Sequence, residues 1–209
     1  MTTFVKGWLI MISISVSCMI FVDSKAQNWD INLLKQLNPS QPNSGLWKGF
    51  SSSAKPLSVG IPGVMLAVSL LNKDSALTRQ SIELLGSVVL TTIATEAIKI
   101  VINRDRPYRK YPLEIFPYDG SENGKSFPSA HVSLSFATAT SLALVYQKWY
   151  ITAPAFVWAA GVGYSRLYQG EHYPSDVLTG AAVGIAGAYA SHWLQRKLLV
   201  GKKKRTIQR

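Results

Sequence analysis

The sequence predicts an all-α, membrane-embedded helical bundle of five to six transmembrane segments. Three observations predict it. Five apolar segments of helical length follow one another from residue 57 onward, and none alternates like a strand. They are rich in Gly, Ala, Ser and Thr, which lets helices approach closely in lipid. When they are threaded through a membrane, every short turn that falls on the cytoplasmic side is net basic.

Residues 1–26 open with Lys6, continue through the apolar run Gly7–Val22 and end on Ser24-Lys25-Ala26. This is the layout of a secretory signal peptide cleaved after Ala26, or of an uncleaved first membrane helix. Either way the following residues emerge outside the cytoplasm. The single cysteine, Cys18, excludes an internal disulfide, and Ser15 stands where a lipobox needs an aliphatic residue.

Residues 27–56 form an extracytoplasmic segment. Trp29, Leu33 and Leu37 recur at helical spacing over Asn28–Leu37, which predicts a short amphipathic helix, lying on the membrane surface or packed over the domain. Ser40–Pro56 reads as a Pro/Gly/Ser-rich loop that Trp47 and Phe50 anchor at the interface.

The helical core spans residues 57–195. Its segments are Leu57–Leu71, Ile82–Ile102, Ser129–Tyr146, Ile151–Ser165 and Val177–Leu194. Two fall short of the roughly 20 residues a bilayer needs. Hydrophobic residues make up 47% of the 209-residue chain and the mean hydropathy is +0.12, high for a soluble domain and low for purely apolar spans. The net charge of +11 owes much to a tail: seven of the 22 basic residues lie in 196–209, with no acid among them. After an apolar helix, such a tail marks the cytoplasmic end of a span rather than a nucleic-acid arm. With residue 27 outside, Asn72–Ser81 and Gln147–Trp149 fall inside, and both are net basic. The polar loops Asn103–Pro128 and Arg166–Asp176 then share the outer face. The expected location is therefore the cytoplasmic (inner) membrane, with these loops facing the periplasm or exterior.

Those two loops carry the chemistry. Lys99 and Arg106 are about two helical turns apart and share a face. Arg106 precedes Pro107, where a helix stops. The loop returns through Pro128, Ser129, Ala130 and His131, with Ser126 or Ser129 placed to cap the next helix. The second loop supplies Arg166, His172 and Asp176, and the last two are spaced to meet on one helix face. Three cations near helix N-termini favour an oxyanion. Two histidines, one with a carboxylate in reach, fit phosphoryl transfer: one imidazole attacks, the other protonates the leaving oxygen. The third histidine, His192, lies outside this constellation and reads as an interfacial residue near the inner face. Glu96, inside an apolar helix, either pairs with Lys99 or another site cation or helps fix the fold. The loop Tyr108–Phe127 reads as a selectivity rim or as a solvated interfacial loop.

The whole pattern resembles the type 2 phosphatidic acid phosphatase superfamily, whose motif is Lys-x6-Arg-Pro, Pro-Ser-Gly-His and Ser-Arg-x5-His-x3-Asp. The chain has K-IVINRD-RP from Lys99, PSAH from Pro128 and SR-LYQGE-H-YPS-D from Ser165, so ten of the eleven fixed positions match. Only the Gly departs, as Ala130, which keeps the backbone N–H but would be strained at positive φ. The resemblance implies His172 as nucleophile through a phosphohistidine, Asp176 as its orienting carboxylate, and His131 as general acid and then base. It implies a phosphate cradle of Lys99, Arg106, Ser129, Ala130 and Arg166, with the active site at the extracytoplasmic face.

The expected activity is hydrolysis of lipid phosphates or pyrophosphates, such as undecaprenyl pyrophosphate, lipid A phosphate, phosphatidylglycerophosphate or phosphatidic acid. No acid–histidine ligand pattern, cofactor motif or nucleotide-binding Gly-rich loop is visible, so neither a metal nor a cofactor is expected. Three alternatives share the motifs: a soluble periplasmic acid phosphatase, a vanadate-dependent haloperoxidase, and a non-catalytic binder of lipid phosphate. The charge-free runs Ile151–Gly163 and Val177–Ala190 argue against the soluble forms.

Overall fold

The computed structural model describes residues 24–207, apart from Ser121 and Asn123, and side chains for residues 29–198 with the same two exceptions. The signal-peptide or first-helix reading of residues 1–26, and Cys18 with it, falls almost wholly outside the described residues. Among those residues the chain is all-helical. The elements are α1 (Ser24–Leu37), α2 (Gly45–Leu71), α3 (Ser75–Ile102), α4 (Pro107–Lys110), α5 (Ala130–Tyr146), α6 (Trp149–Tyr168) and α7 (Pro174–Ile207).

The bundle turns its small residues inward and its large ones outward. In α2 the buried positions are Ser51, Ala54, Ser58, Pro62 and Ser69, while Val59, Val64, Leu70 and Leu71 are exposed. In α3 the buried positions are mostly small, Ser81, Ser87, Thr91 and Thr95 beside Glu83, Leu84 and Val88, and Ile82, Val89, Ile93, Ile100 and Val101 are exposed. Both helices are long and apolar enough to cross a membrane, yet only 22% and 17% of their most apolar windows are buried. The core helix of a soluble protein would be mostly buried. An apolar exterior over a small-residue interior is what lipid favours, because close backbone approach rather than water exclusion holds the helices together.

Helix α5 lies at the centre, packed against α2, α3, α6 and α7. Its buried face is Ser, Thr, Ala and Val. α7 meets it through glycines: a Cβ at Gly180 would lie 2.8 Å from the Ser129 carbonyl oxygen, and one at Gly184 would overlap the Ser133 carbonyl oxygen. This approach sets the distance between the two helices that begin at the site. Gly184→Leu is expected to destabilise the fold by about 1–3 kcal/mol or more through overpacking. Thermal unfolding in detergent checks this, and an unchanged midpoint with full activity would contradict it.

The stretch Ser40–Pro56, expected as a loop, is helical from Gly45 onward. Its inward face is small, Ser51 and Ala54 in this stretch, while Gly45 and Gly49 face outward. α1 packs over the domain, but through a different stripe from the one expected. Ile31 and Leu34 are buried with Tyr108, Ile115 and Tyr173, whereas Trp29 is exposed. Asn38 clamps its end, donating to the carbonyls of Phe116 and Tyr168 at 2.9 and 2.8 Å and accepting from Phe116 N–H at 2.8 Å. His192 is not a bystander: its Nδ1 lies 2.6 Å from Oε1 of the buried Glu83 on α3.

Candidate active site

The Lys99–Pro107, Pro128–His131 and Ser165–Asp176 segments converge at one end of the bundle. α3 ends at Asn103 in the left-handed conformation, its N–H on the Lys99 carbonyl. Arg106 is the N-cap of α4, with Pro107 as the first helical residue. α6 ends near Arg166, and Gly170, at φ +66°, turns the chain into Glu171 and His172. A Cβ at Gly170 would sit 2.7 Å from the Phe116 carbonyl oxygen, so glycine is required by both φ and space. The Ser129 N–H donates to the Asp176 carbonyl at 3.1 Å, tying the start of α5 to the start of α7.

A cavity of about 340 Å³ opens between these segments. Five expected residues line it: Lys99, Arg106, Ala130, His131 and His172. Ser129, Arg166 and Asp176 are buried and stand off the wall. Ser129 takes the N-cap position without making a side-chain cap, and its Oγ is buried with no partner among the described residues. Ala130 begins α5 and is not among the positive-φ residues, so the family glycine is not needed for backbone conformation here. Ala130 and His131, in the first turn of α5, where a helix's N–H groups lack intrahelical partners, line the cavity.

His172 and Asp176 do not share a helix face. His172 precedes α7, and Asp176 is its third helical residue, accepting the Tyr173 N–H at 2.9 Å in half of a capping box. Asp176 Oδ2 lies 3.5 Å from His172 Nδ1. The other ring nitrogen, Nε2, lies 3.4 Å from Arg106 Nη1. One face of the imidazole thus meets a carboxylate while the other nitrogen points to the cationic side.

The two arginines are held by partners that the motif leaves unspecified. Arg106 donates to the Gly124 carbonyl at 3.0 Å and to Glu171 Oε2 at 3.0 Å. Arg166 donates to Ser51 Oγ at 2.6 Å and Gln169 Oε1 at 3.1 Å. Between them lies Glu122, one oxygen 2.7 Å from Arg106 Nη2 and the other 2.7 Å from Arg166 Nη2. Lys99 donates to the Lys125 carbonyl at 2.6 Å rather than to Glu96. Glu96 and Lys55 complete the cavity wall. Lys55, Glu122, Glu171 and Arg104 were not assigned from sequence. For the carboxylates a signal existed: two buried arginines demand counter-charges.

The electrostatics follow from this packing. Burial, then Arg166, Arg106 and Lys99, hold His172 well below its ordinary value, which favours the neutral imidazole. Burial opposes ionisation of Glu122, but Arg166 and then Arg106 outweigh it and hold the carboxyl down at about 2. Burial pushes Glu171 up to about 7 against Arg166 and Arg106. The sign is therefore fixed: Glu171 is neutral below about 7, which removes one of the arginines' two counter-charges and favours an anion, and charged above it. Affinity for an oxyanion is expected to fall as pH rises through this value, and Glu171→Gln to remove that fall. Vanadate or phosphate binding measured against pH checks it, and an identical profile for the variant would contradict it.

An all-helical bundle with an apolar exterior, and a cavity at one end lined by two histidines, Lys99 and Arg106, defines the class: a helical membrane protein with a cationic pocket. The chain belongs to the PAP2 superfamily, whose profile matches residues 80–199, more than half of its length. It is 36% identical over 75 residues to a lipid A 4'-phosphatase of Bacteroides thetaiotaomicron, covering 36% of this chain and 33% of that protein. It is 40% identical over 91 residues to a decaprenylphosphoryl-5-phosphoribose phosphatase of Mycolicibacterium smegmatis, covering 44% and 47%. The chain thus spans less than half the length of these relatives. Among solved structures, Aquifex aeolicus LpxE superposes with a TM-score of 0.57 at 25% identity, covering 78% of this chain and 94% of that one. A PAP2-type phosphatidylglycerolphosphate phosphatase of Bacillus subtilis shares the fold, with a TM-score of 0.67 at 21% identity over 94% and 98%.

Proposed function

We propose that this chain is a phosphatase that removes phosphate from lipid phosphates or pyrophosphates without a divalent metal, through a phosphohistidine at His172. The observation that carries the reading is the Glu122 carboxylate, spanning Arg106 and Arg166 beside His172 Nε2. That is the position an oxyanion takes when two guanidinium groups grip it. A phosphate entering the cavity displaces Glu122 and takes its two donors. Lys99, the buried Ser129 hydroxyl and the N–H at Ala130 supply the rest of the cradle.

In the first step His172 Nε2 forms a bond to phosphorus, and the bond from phosphorus to the leaving oxygen breaks. His131, on the cavity wall, gives that oxygen its proton. Asp176 at Nδ1 fixes the tautomer and balances the charge that develops on the ring. In the second step His131 takes a proton from water, the water oxygen attacks phosphorus, and inorganic phosphate leaves as His172 is regenerated. The basic short turns and basic tail support a reading in which the cavity's end of the bundle faces outside the cytoplasm, so a lipid's phosphate reaches the site while its chain stays in the bilayer. We assign the active site to the periplasmic or outer face of the cytoplasmic membrane. Lipid A phosphates, undecaprenyl pyrophosphate, phosphatidylglycerophosphate and phosphatidic acid are the substrate candidates.

The test is phosphate release by the detergent-purified protein, with EDTA present, from these lipids and one soluble phosphoester. Release from a lipid in EDTA is expected. Release only from the soluble ester would favour the acid-phosphatase alternative. Loss of activity in EDTA, restored by a divalent ion, would overturn the metal-free mechanism.

A further inference from the structure

Asp30 sits on α1, ahead of the residues that match the family profile. It is 3% exposed, and a carboxylate so buried needs partners. It has three. Oδ1 accepts the Ser175 N–H at 2.9 Å, and Oδ2 accepts the Ser175 hydroxyl at 2.5 Å and Arg104 Nη2 at 2.6 Å. Arg104 turns its other nitrogen, Nη1, to Asp176 Oδ1 at 2.7 Å and to Ser175 Oγ at 2.7 Å. Its guanidinium also covers the Tyr173 ring, 3.7 Å from the centroid. The second oxygen of Asp176 faces His172 Nδ1. The contacts form one line: Asp30, Arg104, Asp176, His172. Neither Asp30 nor Arg104 lines the cavity that holds the two histidines.

The line has an electrostatic logic. Asp176 is fully buried and needs a cation. Arg104 alone would neutralise it and blunt its pull on the His172 imidazole. Asp30 shares the guanidinium charge, so Asp176 stays ionised yet able to support a positive ring. We propose that Asp30 and Arg104 are positioning residues: they hold Asp176, and through it His172, so the helix ahead of the family core is a working part of the active site. This rests on the phosphatase reading given above.

His172 faces Lys99, Arg106, Arg166, Glu122, Glu171 and Asp176, and none of these changes in the variants that test the idea. Asp30→Asn leaves Arg104 uncompensated, which disfavours a protonated His172 and moves its titration to lower pH. Arg104→Gln removes a cation and moves it to higher pH. The expected shifts are opposite in sign and about half a unit or more. In both variants kcat is expected to fall about tenfold or more with KM within about twofold, because the substrate contacts are intact. Asp30→Glu and Arg104→Lys are expected to restore part of the loss.

Two readouts separate the possible failures. One is lipid-phosphate turnover against pH. The other is NMR of ¹⁵N-histidine-labelled protein in detergent, where only three histidines need assignment. Opposite titration shifts with the kcat loss support the line. Lowered thermal stability with an unshifted His172 would make Asp30–Arg104 a structural strap only and overturn the inference. No turnover by the unaltered protein would overturn the phosphatase reading instead, and with it any positioning role in that reaction.

Discussion

Phosphate release by the His172→Ala variant is expected to fall by roughly 10³-fold or more, because the atom proposed to bond to phosphorus is gone. The fall lies in kcat. Arg106, Lys99 and the α5 N-terminus remain, so binding of a lipid phosphate or of vanadate is expected to persist. The fold is also expected to survive, since the His172 side chain makes one long contact to Asp176 and one to Arg106. Removing it leaves Asp176 with Arg104 and the Tyr173 N–H. Single-turnover assays beside vanadate titration check both halves. A variant that binds vanadate and still turns over within tenfold of the parent would remove His172 from the mechanism.

The second large effect is at Arg106. This side chain joins the Gly124 carbonyl, Glu171, Glu122 and the His172 ring, and it is 5% exposed. Arg106→Lys keeps the charge but has no fork, so it cannot hold Glu171 and an oxyanion together. Its kcat/KM is expected to drop about 10²-fold, a loss shared between binding and chemistry. Arg106→Ala is expected to do more harm. It strands Glu171 with only Arg166, 3.8 Å away, and breaking a buried pair costs about 3–5 kcal/mol. The comparison of the two variants separates charge from geometry. Equal activity for Arg106→Lys and the parent would show that a point charge suffices there.

The Arg106 network also shows what the sequence made legible and what it did not. The three motifs fixed most of the cavity, because their residue types leave few alternatives once two loops share a face. The counter-charges were not legible. Glu171 and Arg104 occupy unspecified positions inside motifs, and Glu122 comes from a loop with no periodicity. Their roles exist only because buried arginines and a buried aspartate must be balanced in space. The start of α2 was misread for a physical reason. Ser51, Ser52, Ser53 and Pro56 signal a loop in water, but here Ser51 is buried and Ser53 accepts the Trp158 indole N–H at 2.9 Å, so small residues serve helix packing. The docking face of α1 was ambiguous because Trp29, Leu33, Leu37 and Ile31, Leu34 form two adjacent stripes. What decides between them is the buried Asp30, an acid placed where an amphipathic pattern expects only apolar contact.

His172 is proposed to carry the phosphoryl group during turnover. The most direct test is to quench the enzyme in alkali during turnover of a lipid substrate, then digest it and search for a phosphorylated histidine by mass spectrometry. Alkali preserves phosphohistidine and acid destroys it. A phosphoryl group on the peptide bearing His172, acid-labile and absent from the His172→Ala protein, is the result this account predicts. Full turnover with no phosphohistidine at any stage, or with the phosphoryl group on His131, would contradict it.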